Sequence, residues 1–236
     1  MITNNDLNQI NSRIRKSIQR AISGKTKGTI ESEPSFTERL FSNIERDFEE
    51  PLIDSNYLIE VRTLLDRGPN SPEKKYGADF AVILKSNSKD YSISKGFLGQ
   101  SKNINKPTIV DKFIQSVGSN AKILDGILKF SLPNSSELLR FQDQCRDMLA
   151  ITPDSYGFLY SDEDVYIIPA SSVTSSKQTF NNQNHHFKLC ETFFYNFFAS
   201  FIGDQLLYNH TNENLEKIKE ERKIKSILYL NLKEIN

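Results

Sequence analysis

Two neighbouring stretches of this chain hold the side-chain types that a hydrolytic metal site needs. Tyr76-Gly77-Ala78-Asp79-Phe80-Ala81-Val82-Ile83-Leu84 is followed, after the polar turn Ser86 to Asp90, by Lys95-Gly96-Phe97-Leu98-Gly99-Gln100-Ser101-Lys102. Both read as strands. Side chains alternate faces along a strand, so Gln100 and Lys102, two apart, point the same way. A hairpin turning at Lys89-Asp90 pairs positions whose numbers sum to about 179, which sets Asp79 opposite Gln100. A carboxylate, an amide oxygen and an ammonium then converge at one end of a short hairpin. Hard cations such as Mg2+ or Mn2+ take oxygen ligands, which Asp79, the Gln100 carbonyl and a main-chain oxygen near Ser101 can supply. Lys102 adds positive charge to orient or deprotonate a water and to offset charge building on a phosphate. The group suits metal-dependent phosphodiester hydrolysis.

A further carboxylate is expected from a helix. Glu31 to Glu50 has seven acids against Arg39 and Arg46 and opens on Glu33-Pro34, a favourable helix start. Phe36, Leu40, Phe41, Ile44 and Phe48 define its apolar face, and on a helical wheel Glu33 lies near the centre of that face. Glu38 and Glu45 lie well to the side, so Glu33 is preferred to Glu38.

Other elements must hold these residues in place. Residues 1–28 carry Arg13, Arg15, Lys16, Arg20, Lys25 and Lys27 against one acid, Asp6, with Leu7, Ile10, Ile14, Ile18 and Ala21 at helical spacing. This is an amphipathic helix with one basic side, where Arg13, Arg15, Lys16 and Arg20 could grip a phosphate backbone. Lys74 and Lys75 belong to a second basic region, because residues 72–112 contain eight lysines and four acids. Tyr57 to Leu65 is an apolar-rich run and Asp66 to Lys75 a loop. Residues 108–130 and 134–149 read as helices, the second with Leu138, Leu139, Cys145, Met148 and Leu149 inward. Tyr156 to Tyr160 and Val165 to Pro169 form a second hairpin around Asp162-Glu163-Asp164. The connector Ser171 to Asn184 leads to an aromatic helix near Glu191 to Ile202, and Asn212 to Lys225 reads as a charged helix.

The chain has 236 residues, of which 37% are hydrophobic and 25% charged, with 30 basic and 30 acidic side chains. That composition excludes disorder and collagen-like repeats and supports one elaborated domain. Net charge is zero, so affinity for a polyanion must come from local patches. Cys145 and Cys190 are too few for a disulfide framework, which fits a reducing cytoplasm. No apolar run is long enough to span a bilayer, and no membrane association is expected. The expected division is a basic helical segment at 1–29, a main domain at 30–205 and a charged helical tail at 206–236.

Glu33, Asp79 and Gln100-Ser101-Lys102 together resemble the PD-(D/E)xK nuclease superfamily, the restriction-endonuclease-like fold, over about residues 30–170. That family's pattern is a helical Glu, a strand Asp, then (D/E/Q)xK on the next strand. Ala78 stands where the family name has Pro, and Gln100 keeps an oxygen ligand while losing a charge. The resemblance implies an α/β fold with a mixed central β-sheet flanked by helices, and a Mg2+- or Mn2+-dependent endonuclease acting on DNA, with RNA as the other substrate. It also implies a role in bacterial anti-phage defence and a Gln near the site on the following helix, Gln144 or Gln142. A homodimer or a partner protein of a defence system is the expected assembly. The competing expectation is a catalytically inactive nuclease fold that binds nucleic acid or a partner protein.

Other motifs lack partners. Gly24-Lys25-Thr26 has Gln19 where a phosphate-binding loop needs Gly, and no strand precedes it. His185, His186 and His210 have no ligand-spaced partners and are expected to be solvated. Cys145 sits on an apolar helix face as a core thiol.

Overall fold

A computed structural model of the protein describes residues 2–30, 32–65, 78–87, 92–117, 120–132, 134–175, 185–205 and 224–235. The two N-terminal helices form where periodicity places them. Helix α1 (Asn4–Thr26) starts at a Thr3 capping box and buries Leu7, Ile10, Ile14, Ile18 and Ala21. Helix α2 (Glu33–Asp47) is capped by the Ser32 side chain, which accepts from the Ser35 N–H at 3.3 Å, with Pro34 in its first turn.

Among the described residues nine strands follow: β1 (Tyr57–Leu65), β2 (Phe80–Asn87), β3 (Ser92–Asn103), β4 (Thr108–Val117), β5 (Asn120–Lys129), β6 (Ser155–Tyr160), β7 (Val165–Pro169), β8 (His185–Leu189) and β9 (Ser226–Glu234). Helix α3 (Ser135–Leu149) lies between β5 and β6, α4 (Ala170–Thr174) follows β7, and α5 (Cys190–Phe198) follows β8. All nine strands join one mixed sheet in the order β1-β9-β2-β3-β6-β7-β8-β5-β4. The parallel pairs are β2 with β9 and β3 with β6, and the other neighbours are antiparallel. Parallel neighbours need a crossover, and α3 lies on the connection from β3 to β6.

Each face of the sheet carries its own apolar layer. One layer joins α1, α2 and α5 to Phe80, Val82, Leu84, Phe97, Phe158 and Tyr160, and the other joins α3 and α4 to Ala81, Ile83, Leu98, Leu159 and Ile168. Alternation along β2 thus sends even-numbered residues to one layer and odd-numbered ones to the other. Phe97 sits in an aromatic cluster, edge-on to Phe193 and Phe197 at 5.0 Å each.

Four expectations need correction. Residues 108–130 form the antiparallel pair β4 and β5 rather than a helix. The tail expected to be helical ends in β9, inserted between β1 and β2; the charged stretch before Ile224 lies outside the described residues. Helix α1 packs into the same apolar layer as α2 and α5, so residues 1–29 are part of the main body. Along α3 the inward residues are Leu138, Phe141, Gln142, Cys145 and Met148, while Leu139 is 58% exposed. The α/β class, with a mixed sheet flanked by helices, is as expected.

Candidate functional site

The β2–β3 register is Phe80↔Gly99, Ala81↔Leu98 and so on to Asn87↔Ser92, which sets Asp79 beside Gln100 as the hairpin arithmetic expects. The Asp79 N–H donates to the Gly99 carbonyl at 2.9 Å, extending the ladder by one residue. Asp79 Oδ2 accepts three hydrogen bonds: from Gln100 Nε2 at 2.6 Å, from the Ser101 N–H at 3.0 Å and from Ser101 Oγ at 2.5 Å. These donors fix the carboxylate's orientation and satisfy that oxygen.

The next two residues of β3 hold the helical acid. Glu33 Oε1 accepts from the Asn103 N–H at 2.7 Å, and Glu33 Oε2 lies 3.6 Å from Lys102 Nζ. Glu33 reaches β3 because it occupies the first turn of α2, where the helix dipole favours a carboxylate. Its side chain is 27% exposed, whereas Glu38 is exposed on the outer side of α2. Thr37, one turn on, donates to the Glu33 carbonyl at 3.1 Å and meets the Tyr160 hydroxyl at 2.9 Å, and Tyr160 stacks on Phe36 at 4.2 Å. Burial pushes the Tyr160 hydroxyl far up in pKa, so it remains protonated.

Lys102 has a side chain 9% exposed, with its ammonium 5.9 Å from the centre of the Phe141 ring on α3. Leu98 belongs to the α3 layer, and alternation carries Gln100 and Lys102 to the same side. Cys145, one turn beyond Phe141, is fully buried, and burial holds its thiol well above the usual range. It is a core thiol, as expected. Gln142 is buried and donates to the Val173 carbonyl at 3.4 Å. Gln144 is half-buried, and its Oε1 is buried without a hydrogen-bond donor among the described residues.

Sequence reasoning missed Lys225. Its Nζ lies 3.3 Å from Asp79 Oδ1, and its N–H donates to the Asp79 carbonyl at 3.1 Å. The signal was the apolar run Ile227-Leu228-Tyr229-Leu230, which is a strand pattern, with a lysine just ahead of it.

The donor set fits a hard cation. Asp79, Glu33 and Gln100 offer oxygen atoms only, and Gln100 Oε1 is buried with no donor among the described residues. The amide cannot be turned over, because Nε2 is the atom that donates to Asp79. Among the described residues no group of three or more His, Cys, Asp or Glu side chains that could hold a metal ion is gathered.

On the basic side of α1, Arg13 and Arg20 are engaged within the chain, whereas Arg15 and Lys16 are exposed. Arg13 donates to the Asp47, Glu50 and Pro51 carbonyls at the end of α2 and stacks over Phe48 at 5.5 Å. Arg20 pairs with Asp47, and Arg15 lies 3.9 Å from Glu191. Lys16 is exposed; Lys74 and Lys75 lie outside the described residues. His185 is buried beside Ser172 at 3.0 Å rather than solvated, whereas His186 is exposed. Among the described residues no helix is long and apolar enough to cross a membrane.

Comparison of the chain with family models, curated proteins and solved structures finds no match. The functional reading therefore stands on the site's own chemistry.

Proposed function

We propose that this chain is a metal-dependent endonuclease of the restriction-endonuclease-like type, hydrolysing phosphodiester bonds in DNA. The observation that carries this reading is the buried Gln100 Oε1, without a donor among the described residues, next to an anchored Asp79 and a nearly buried Lys102. A buried amide oxygen without a partner is costly unless a ligand completes it. The order of helical Glu33, Asp79 before β2 and Gln100-Ser101-Lys102 on β3 supports the same reading.

Asp79, Gln100 and Glu33 would hold Mg2+ or Mn2+, which when bound polarises a phosphate and acidifies a water. Ser101 keeps Asp79 in one orientation through its N–H and hydroxyl. Lys102, poorly screened at its depth, offers positive charge to a phosphate oxygen and can orient a water through Nζ. Tyr160 and Thr37 hold the first turn of α2, and with it Glu33.

The test is incubation with DNA and RNA in Mg2+, Mn2+ or EDTA, beside Asp79→Asn and Lys102→Ala. Metal-dependent cutting lost in both variants is expected; wild-type cutting by Lys102→Ala overturns the assignment. The bacterial defence role rests on the resemblance alone, and phage plaque counts on cells expressing wild type or Lys102→Ala test it.

A second reading, a silent nuclease fold that binds nucleic acid or a partner protein, is favoured by one observation. Both carboxylates are already matched, Asp79 by three donors and Lys225, Glu33 by Asn103 and Lys102. Asp79-dependent Mn2+ binding separates the two readings, because a binding-only domain needs none.

A further inference from the structure

Lys225 meets Asp79 through both main chain and side chain. The N–H groups of Lys225 and Ser226 donate to the Asp79 carbonyl at 3.1 and 3.3 Å, which seats the start of β9 against residue 79. The Lys225 ammonium then lies 3.3 Å from Asp79 Oδ1. The other carboxylate oxygen, Oδ2, is taken by Gln100 and Ser101, so Oδ1 is the oxygen Asp79 can turn to a metal ion. Two cations cannot share that oxygen at contact distance without strong repulsion. The two side chains differ in freedom: Asp79 is 13% exposed and held by three donors, whereas Lys225 is 31% exposed on a long flexible stem.

We propose that the Lys225 ammonium is a resident counter-cation of Asp79, which a divalent ion must displace from Oδ1. The inference rests on the metal-site reading above and adds a regulator to it. In the resting chain the lysine offsets the charge of a carboxylate that is only 13% exposed. When metal enters, Asp79 keeps its orientation because Ser101 and Gln100 do not move with the lysine. Lys225 thus sets a threshold of metal concentration for the site.

The test is Mn2+ titration of the full chain without nucleic acid, by calorimetry, for wild type, Lys225→Met, Lys225→Arg, Asp79→Asn and the double variant Asp79→Asn with Lys225→Met. Removing a partly exposed ion pair from the competition tightens Mn2+ binding by about fivefold in Lys225→Met. Lys225→Arg retains the charge and stays near wild type, and both chains carrying Asp79→Asn lose binding. The main-chain bonds from residue 225 survive every substitution, and melting curves confirm that each variant is folded; Lys225→Gln replaces Lys225→Met if the latter does not fold. Asp79-dependent binding that is equal or weaker in the neutral variant overturns the role of Lys225 and leaves the metal site standing. Absence of Asp79-dependent binding in wild type and neutral variant alike overturns both.

Discussion

Gly99→Ala tests the packing that sets the register beneath the site. A Cβ at residue 99 would meet three atoms of the Phe80 ring within 2.8 Å. Carbon atoms in ordinary contact sit about 3.5 to 4 Å apart, so ring or strand must move by about 1 Å. The ring has nowhere to go: Phe80 is 0% exposed and wedged edge-on between Phe41 at 5.2 Å and Phe158 at 4.8 Å. The strand is held as well, because the Gly99 carbonyl accepts from the Asp79 N–H at 2.9 Å. Overpacking of this kind costs about 3 kcal/mol, the upper end of its usual range. In a domain of this size that lowers the melting temperature by roughly 6 to 12 °C. Calorimetric melting of wild type, Gly99→Ala, Phe80→Leu and the double variant measures it. The leucine frees space beneath residue 99, so the double variant should be more stable than the two losses added together, by about 1 kcal/mol or more. Additive losses, or a Gly99→Ala chain melting within about a degree of wild type, would refute the packing argument.

Glu33→Gln should weaken Mn2+ binding by roughly tenfold while Glu38→Gln leaves it unchanged, because a charged oxygen ligand is lost in the first case only; equal effects in a titration would remove Glu33 from the site. Arg13→Ala should lower stability by about 2 kcal/mol, since three carbonyls at the end of α2 and just beyond it lose a charged donor, and a denaturant melt unchanged from wild type would contradict that. Burial, with Glu191 next, raises the Asp164 carboxyl from 3.8 to about 6. The folded chain therefore holds this proton more tightly than the unfolded chain, and the group's contribution turns against folding as pH rises from about 4 through 6. Discounted for partial exposure, the loss is about 2 kcal/mol above pH 6. Asp164→Asn should recover most of it at pH 7.5 and flatten the stability profile between pH 4 and 6, and urea melts showing the same pH slope in both chains would exclude Asp164 as its source.

Local patterns reported the parts of the fold that local patterns determine. The α1 and α2 stripes follow from spacing, and the β2–β3 register follows from where the hairpin turns, so Asp79, Gln100, Ser101, Lys102 and Glu33 were all legible. Residues 108–130 were not, because Ile114, Val117, Ala121, Leu124 and Leu128 recur at three- and four-residue spacing and so also fit a helical stripe. This pair lies at the sheet margin, where half-exposed residues such as Val110, 49% exposed, blur the alternation that marks a strand. Strand β9 was lost for a different reason. Its neighbours are β1 and β2, more than a hundred residues away in sequence, and no local signal carries that pairing. Lys225 was invisible with it. The competing use of Arg13 and Arg20 was equally hidden, since a basic helix side looks alike whether it faces phosphate or the end of another helix.

Strand β9 also dictates when the molecule can become whole. It sits inside the sheet, yet it is separated by 146 residues from the Asp79 it abuts. During synthesis at about 5 to 20 residues per second, Asp79 waits roughly 7 to 30 s for Lys225 to be made. For that interval the outer edge of β2 is open, β1 has no neighbour in the sheet, and Asp79 lacks its lysine. Closure of such a distant parallel pair is also a slow event in folding. A nascent chain therefore carries the β2–β3 hairpin well before Lys225 reaches Asp79, and the insertion of one late strand completes the sheet and the surroundings of Asp79 in the same step.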